Sequence, residues 1–484
     1  MKKISSILAV LLLSVIETSA FCGFYVAKAD ATLFNKKSQV ILVRDGDRTV
    51  VTMSNDFDGD VRDFAMVVPV PTVLKEKDIR VVNPALFSKL DAYSAPRMVE
   101  YHDAEPCNYY TYEITEDEAV RSLSDISLAN APTSSRMDKK YKVTVEAKYE
   151  IEEYDVLILS AKESSGLKHW LTENGYKIPA QAEEVLQPYI KNGLKFFVVK
   201  VNLDRMTSTG SSYLRPLQIE YTSDRFMLPI RLGMANADGD QDMLVYAFTR
   251  QGRIECTNYR TVKLPTDRNI PKFVRDKGLF GNFYKDLFAK AYDRQGRNAV
   301  FLEYAWNVTP NFGMKCDPCV GPPPMYQEFV DAGAKWIDPN NAWNSSIFFT
   351  RLHVRYAREE FPQDLQFQVT PNMEHFQGRY VVTNEATGDM SCDQGQRYLE
   401  DLEMRRKREV DELAALTGWN EPRYARYIFE HSDRIHQEKE RNVVFPFIPK
   451  PGSNGTGLKY IGLLVFSILG LFWLFLGARK SLSS

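Results

Sequence analysis

"SQVILVRDGDRTVVTMSNDFDGDVRDFAMVVPVP", residues 38–71, decides the fold class. Three runs rich in Val, Ile, Thr and Phe are separated by turn residues, Asp45-Gly46 after the first and the Asp-Gly of "DFDGD" after the second. Short β-branched runs bounded by Asp-Gly turns form hairpins. The stretch therefore predicts a three-stranded antiparallel meander. Pro69 and Pro71 lack the N–H that a ladder needs, which puts the third strand at a sheet edge or at its own end.

Outward from there the same pattern recurs at 141–151, 154–160, 195–203, 217–222, 226–232, 242–250 and 348–357. Helical segments are fewer: "SGLKHWLTENG" (165–175) and "AQAEEVLQPYIKNG" (180–193) each stop at a glycine suited to a C-terminal cap. The expected class is α+β, mostly antiparallel β-sheet in packed sheets, with a C-terminal helical hairpin and one transmembrane helix. The β-rich body spans 21–394, with a division into two subdomains expected near 260–280. The hairpin spans 395–440. Its first arm, "GQRYLEDLEMRRKREVDELAALTGWN" (395–420), carries Asp401/Arg405 and Glu403/Lys407 at i, i+4 and a thin apolar stripe of Leu399, Leu402, Val410 and Leu413. That stripe predicts docking on the body or on a neighbour, with 421–437 as the second arm.

The chain has 484 residues, 44% of them apolar and 12% aromatic, enough for large cores. With 61 Lys and Arg against 63 Asp and Glu, the formal charge of −2 provides no basic field to draw the protein onto nucleic acid. At the start, Lys2 and Lys3 precede the apolar run "ILAVLLLSVI", and small residues end at Ala20, which reads as a cleaved export signal over 1–20. Cutting there leaves six cysteines, whereas a cut after Ala29 would leave five. At the far end, "YIGLLVFSILGLFWLFLGA" (460–478) is uncharged, and at 1.5 Å per residue a helix of that length matches the ~30 Å hydrocarbon layer. Arg479 and Lys480 follow, as expected of a cytoplasmic end, so 479–484 is read as an internal tail and the body as extracytoplasmic. The Pro- and Gly-rich 441–459 is a stem.

Several phrases resemble a known family. "CGFYVAKADATLFNKKSQVILVRDGDRTVVTMSNDFDGDVRDFAMVVPVP" with "APRMVEYHDAEPC" is similar to the start of a bacterial family of exported proteins known as domain of unknown function 2330. "YAWN…CDPC" and "FFTRLHVRY…FQGRYVV" resemble its later segments, so the likeness runs from about Cys22 to about Val382. The resemblance implies an exported location and supports the cysteine placement. It implies no activity.

"KCDPCVGPPP" (315–324) is the segment closest to a chemical motif. A redox C-x-x-C sits where a helix begins, because the helix N-terminal N–H groups stabilise the thiolate. Here Pro322, Pro323 and Pro324 preclude such a helix and Asp317 opposes a thiolate, although Lys315 favours one. A structural zinc site needs two further ligands, and no second C-x-x-C or C-x-x-H exists. What remains is a local disulfide, Cys316 to Cys319, with Cys22, Cys107, Cys256 and Cys392 forming two longer bridges in one of three connectivities. A thiol-disulfide oxidoreductase using Cys316 and Cys319 is the alternative. So short a ring adds little stability, while a bridge closing about a hundred residues adds ~4 to 5 kcal/mol.

Other motifs are weak. Asn236, Asp238, Asp240 and Asp242 alternate as in a calcium loop, but the glycine and distal glutamate of an EF-hand are missing, and a polar turn explains them better. On "RLHVRY", Leu352, Val354 and Tyr356 share one face and Arg351, His353 and Arg355 the other. That basic face is either an anion site or, the preferred reading, a solvated outer face. Sequons stand at Asn307, Asn344 and Asn454. Hydrolase, kinase and dehydrogenase signatures are absent, so no catalytic residue, metal or cofactor is assigned. The sequence predicts a single-pass envelope protein whose ectodomain binds an unidentified protein or glycan, a membrane-tethered hydrolase being a further alternative.

Overall fold

The computed structural model describes residues 38–54, 65–107, 141–176, 181–208, 214–234, 239–309, 322–338, 345–420 and 424–430, positions 341 and 422, and short strands at 24–25, 34–35, 57–58 and 136–138. β1 (Ser38–Asp45) and β2 (Arg48–Ser54) form the expected hairpin, closing at Asp45↔Arg48. Gly46 turns it with φ at +57°, which only a residue without Cβ adopts freely.

The third strand, β3 (Ala65–Val70), leaves the meander. It joins a six-stranded sheet with the later meander β4 (Val143–Ile151), β5 (Tyr154–Ala161) and β6 (Lys195–Val201), pairing antiparallel with β6 from Lys195↔Val70 to Lys200↔Ala65. The free edge of β2 goes instead to β7 (Leu217–Thr222). All six residues of β3 are buried, so both of its faces must be covered, and an edge position beside β2 does not suffice. Pro69 is tolerated because the strand Phe24–Tyr25 covers only Met66 and Val67 on the other side of β3.

The expected strand at 226–232 shrinks to β8 (Met227–Leu228), since Pro229 follows and a short helix, Arg231–Met234, begins. Next come β9 (Gln241–Thr249), β10 (Ile254–Cys256), β11 (Ala299–Asn307), β12 (Phe348–Tyr356), β13 (Leu365–Val369) and β14 (Arg379–Asn384). A nine-stranded sheet has the central order β11-β12-β9-β1-β2-β7. It draws strands from both sides of 260–280, and the described residues up to 425 form one unit. β13 stands between β8 and β10 in a small antiparallel sheet.

Several pairs are parallel: β1 with β9, Arg260–Lys263 with β11, and β14 with both of its neighbours. The remaining pairs are antiparallel, so the fold is mixed α+β with several mainly antiparallel sheets and ten α-helices among the described residues. One face of the large sheet packs Ile41, Val43, Tyr246, Phe248 and Phe349 against α1 (Ala85–Ser94), through Leu86, Phe87, Leu90 and Tyr93. The six-stranded sheet packs Val67, Phe196 and Val198 against α2 (Ser164–Glu173) and α3 (Ala182–Lys191), two helices that the sequence placed correctly. Each fully buried Val, Leu or Phe contributes about 1.5–3 kcal/mol.

α4 (Phe280–Arg294) lies before β11, and α5 (Asp393–Thr417) ends as expected at Gly418, φ +84°. α5 docks on the body through Leu402, Leu413 and Leu416 and through charge: Arg405 Nη2 meets Asp103 Oδ2 at 2.8 Å, and Lys290 Nζ donates to the Ala414 carbonyl at 2.9 Å. Its expected partner arm is only α6 (Tyr424–Phe429), and 431–437 lie outside the described residues, so no hairpin of two long helices is present among them. The expectation of a transmembrane helix in the fold is corrected too: no helix of the described residues is long and apolar enough to cross a membrane. The longest, α5, alternates charged with apolar residues, and the span read at 460–478, like the signal, stem and tail, lies outside the described residues.

Cys107 and Cys392 are disulfide-bonded across 285 residues of sequence, tying the segment after Arg97–His102 to the start of α5. Cys256, expected in a second long bridge, is instead a buried free thiol, its Sγ 3.3 Å from Asn258 Oδ1. Cys22, Cys316 and Cys319 lie outside the described residues. Cys392 also caps α5, its Sγ accepting from the Gly395 N–H at 3.3 Å, and a serine hydroxyl would keep that acceptor. Cys392→Ser thus isolates the cross-link. Urea unfolding should show a loss of about 5 to 6 kcal/mol from the entropic effect of so long a loop; an unchanged midpoint would contradict a stabilising bridge.

Candidate functional site

The basic face of β12 is neither solvated nor open to a foreign anion. Arg351 is 4% exposed and His353 6%, because β12 lies inside the sheet and α4 covers this face. Phe288 of α4 stacks on the His353 ring at 3.8 Å between centroids. The anions are the chain's own. The register of β11 against β12 slips between Leu302 and Tyr304, so Glu303 is the extra residue of a bulge, with no exposed surface. Its carbonyl accepts from the Gly378 N–H at 2.8 Å. Its carboxylate accepts from Arg351 Nε at 2.6 Å and lies 2.8 Å from His353 Nδ1, and the Tyr284 hydroxyl of α4 donates to it.

The network continues on both sides. His353 Nε2 is 3.2 Å from Asp242 Oδ1, and Arg355 grips both oxygens of Asp242 at 2.9 and 2.7 Å. Arg351 Nη1 reaches Asp91 Oδ1 of α1 at 2.8 Å, and the Tyr246 hydroxyl donates to the same oxygen at 2.9 Å. Both ring nitrogens of His353 face carboxylates, which accept only, so the ring is an imidazolium. Asp91, Asp242 and Glu303 then balance Arg351, Arg355 and His353.

The pKa directions agree with that balance. Burial alone would raise the Glu303 carboxyl, but Arg351 and His353 hold it down to about 2. Burial alone would lower His353, and Glu303 and Asp242 raise it. Asp242 is likewise lowered against burial by His353 and Arg355. An acid–histidine cluster invites a catalytic reading, but here neither nitrogen is free and an aromatic ring closes the face. The arrangement locks α1 and α4 onto the sheet.

An open site lies elsewhere. The apolar stripe of α3 brings Tyr189 inward, and its hydroxyl donates to Asp364 Oδ1 at 2.7 Å, just before β13. After β8 the chain turns at Pro229, and the N–H groups of Ile230 and Arg231 donate to the same oxygen at 3.0 and 3.1 Å. A cleft of about 670 Å³ opens over these groups, with Phe226 and Phe367 among its lining residues. A second concavity of about 900 Å³ runs along α3. Arg231, Pro188 and Asn192 line both. Burial raises the Asp364 carboxyl, with Tyr189, the backbone donors and Arg231 pulling the other way.

The candidates read from the sequence do not converge on this cleft: Cys256 is buried beside it, and Thr257 lines it. Of the alternating acids, Asp240 is held by Arg297 at 2.7 Å and Asp242 belongs to the lock, and no group of metal-ligating side chains occurs among the described residues. Asn307 of the first sequon is buried and accepts from the Thr309 N–H, so it is closed to a glycan. Glu303, Tyr284, Asp364 and Arg231 were missed. Glu303 had a signal, a lone carboxylate inside the apolar run "AVFLEYAWN", whereas Asp364 and Arg231 had none.

These features define a mixed α+β protein with a charge-locked sheet, a long disulfide and a separate solvent-facing cleft. The chain belongs to the bacterial family described as "Uncharacterized protein conserved in bacteria (DUF2330)", whose model matches residues 16–368 and so includes both the lock and the cleft. No curated protein and no solved structure matches it.

Four substitutions test these assignments. Glu303→Gln takes from buried Arg351 and His353 one of the two carboxylates that each contacts and should cost about 3–5 kcal/mol in denaturant unfolding. In the native chain His353 is raised, so its contribution is complete below about pH 6.5 and is lost as pH rises through its folded value; His353→Gln should flatten that alkaline slope. Asp364 is a raised acid, so its proton linkage lowers stability as pH climbs from about 4 through its folded value. Asp364→Asn keeps the acceptor and should remove that slope, while Asp364→Ala strands three donors and should cost a few kcal/mol, on the order of 1–3 per buried group.

Proposed function

We propose that this chain is a ligand-binding protein of an oxidising, extracytoplasmic compartment and that the cleft between α3 and β13 is its contact site for a protein or glycan ligand. The observation that carries the reading is Arg231: it lines both concavities, and among the described residues its guanidinium has no hydrogen bond or ion pair. A guanidinium offers five donors, and leaving them unengaged at the neck of a concave site suits a ligand that brings the acceptors. The Cys107–Cys392 bridge supports the compartment, since such cross-links persist where thiols are not kept reduced. The hydrolase alternative asks for an enclosed pocket with clustered histidine or acidic side chains, and the histidine–acid cluster at His353 is instead covered by Phe288.

The test is a thermal-shift panel of defined oligosaccharides and short peptides on the full-length chain. A ligand at about 100 times its Kd adds about 2.7 kcal/mol and should raise Tm by about 2 °C or more. The shift should vanish in Arg225→Ala/Arg231→Ala, which removes two exposed or half-exposed cations of the cleft. A shift that persists in the double variant, or the lack of one across the panel, overturns the reading.

A further inference from the structure

The lining of the cleft and of its neighbouring concavity is balanced in charge. Arg358 takes Glu184 at 2.6 Å, which leaves Arg225, Lys191 and Arg231 facing Asp224, Glu183 and Asp364. A polyanion would meet three carboxylates there and a polycation three cations, so neither is favoured. Two groups of opposite sign are also incompletely used. Arg231 has no polar partner, and all three donors to Asp364 go to Oδ1, leaving Oδ2 without one among the described residues. The backbone holds the pair together, because the Arg231 N–H is itself bound to Asp364.

We infer that the cleft takes a short peptide with free ends, its carboxylate on the Arg231 guanidinium and its ammonium on Asp364 Oδ2. This rests on the cleft being the binding site. The carboxylate accepts the fork of Arg231 donors, a geometry suited to two parallel hydrogen bonds. The ammonium supplies the donors that the second Asp364 oxygen lacks, and it offsets the burial that disfavours the ionised acid. The volume of about 670 Å³ suits a ligand of a few residues. Phe226 and Phe367 are among its lining residues and pack against each other at 5.5 Å between ring centroids.

Isothermal titration of the full-length chain with trialanine, N-acetyl-trialanine, trialanine amide and a neutral trisaccharide tests the assignment. Trialanine should bind saturably, and capping either end should weaken it about tenfold or more, the scale of one lost charge-assisted contact. Arg231→Ala should weaken trialanine and abolish the difference between acid and amide. Asp364→Asn, which keeps its three donors satisfied, should abolish the difference between amine and acetyl. Arg408→Ala, an exposed cation on α5, should change nothing. Equal affinity for all three peptide forms, or no saturable binding of trialanine at millimolar concentration, overturns the inference. If the trisaccharide binds in an Arg231-dependent way while trialanine does not, the peptide is excluded and the cleft remains a binding site.

Discussion

The Glu303 carboxylate, with no exposed surface, sits on β11, one strand in from the edge of a nine-stranded sheet, and much of the described architecture follows from having to satisfy it. A buried carboxylate is costly unless paired and hydrogen-bonded. The bulge in β11 puts Glu303 opposite Arg351, the ring of His353 carries the charge on to Asp242, and Arg351 carries it to Asp91 of α1. Tyr284 brings in α4. Three strands and two helices thus share one electrostatic closure, and moving any of them strands a charge. Packing alone would tolerate small slips of a helix on a sheet; this network does not.

Lock and cleft divide the work. The lock pairs Arg351, His353 and Glu303 away from solvent, with Phe288 over the histidine ring, while Asp91 and Asp242 at its two ends stay partly exposed. The cleft is built on short, local pieces: the end of α3, a two-residue strand, a four-residue helix and the turn before β13. Asp364 joins those pieces by accepting from Tyr189 on one side and from the Ile230 and Arg231 backbone on the other. Its recessed carboxyl and the unengaged guanidinium nearby are the two features on which the proposed binding role rests. Because the family match spans residues 16–368, both features belong to the part of the chain that defines the family.

The disulfide shows how far a local reading of cysteines can go. Its partners are separated by 285 residues, and only the packing of α5 beside the segment after Arg97–His102 brings them together. Counting cysteines pointed to long bridges but left the connectivity open, and Cys256 stayed unpaired because β10 buries it next to β13, with no partner thiol among the described residues.

What the sequence by itself determined is what depends on neighbours in the chain. The β1–β2 hairpin, α2 and α3 with their terminal glycines, the strands from Val143 to Val201, and the stop of α5 at Gly418 were all legible, because alternation, turn residues and caps act over a few positions. Membership of the family was legible for the same reason, as contiguous phrases. Tertiary structure alone decided which strand lies beside which. β3 left its meander because both of its faces needed cover, and parallel pairs joined β1 to β9 across about two hundred residues of chain. It also decided the meaning of charge. Arg351, His353 and Arg355 read as a solvated face, and α4, whose Gly281 and Asn282 weaken its local helical signal, buried them by packing on the sheet. Whether a charged side chain faces water, a partner or a ligand depends on what distant segments bring against it, and no local pattern records that.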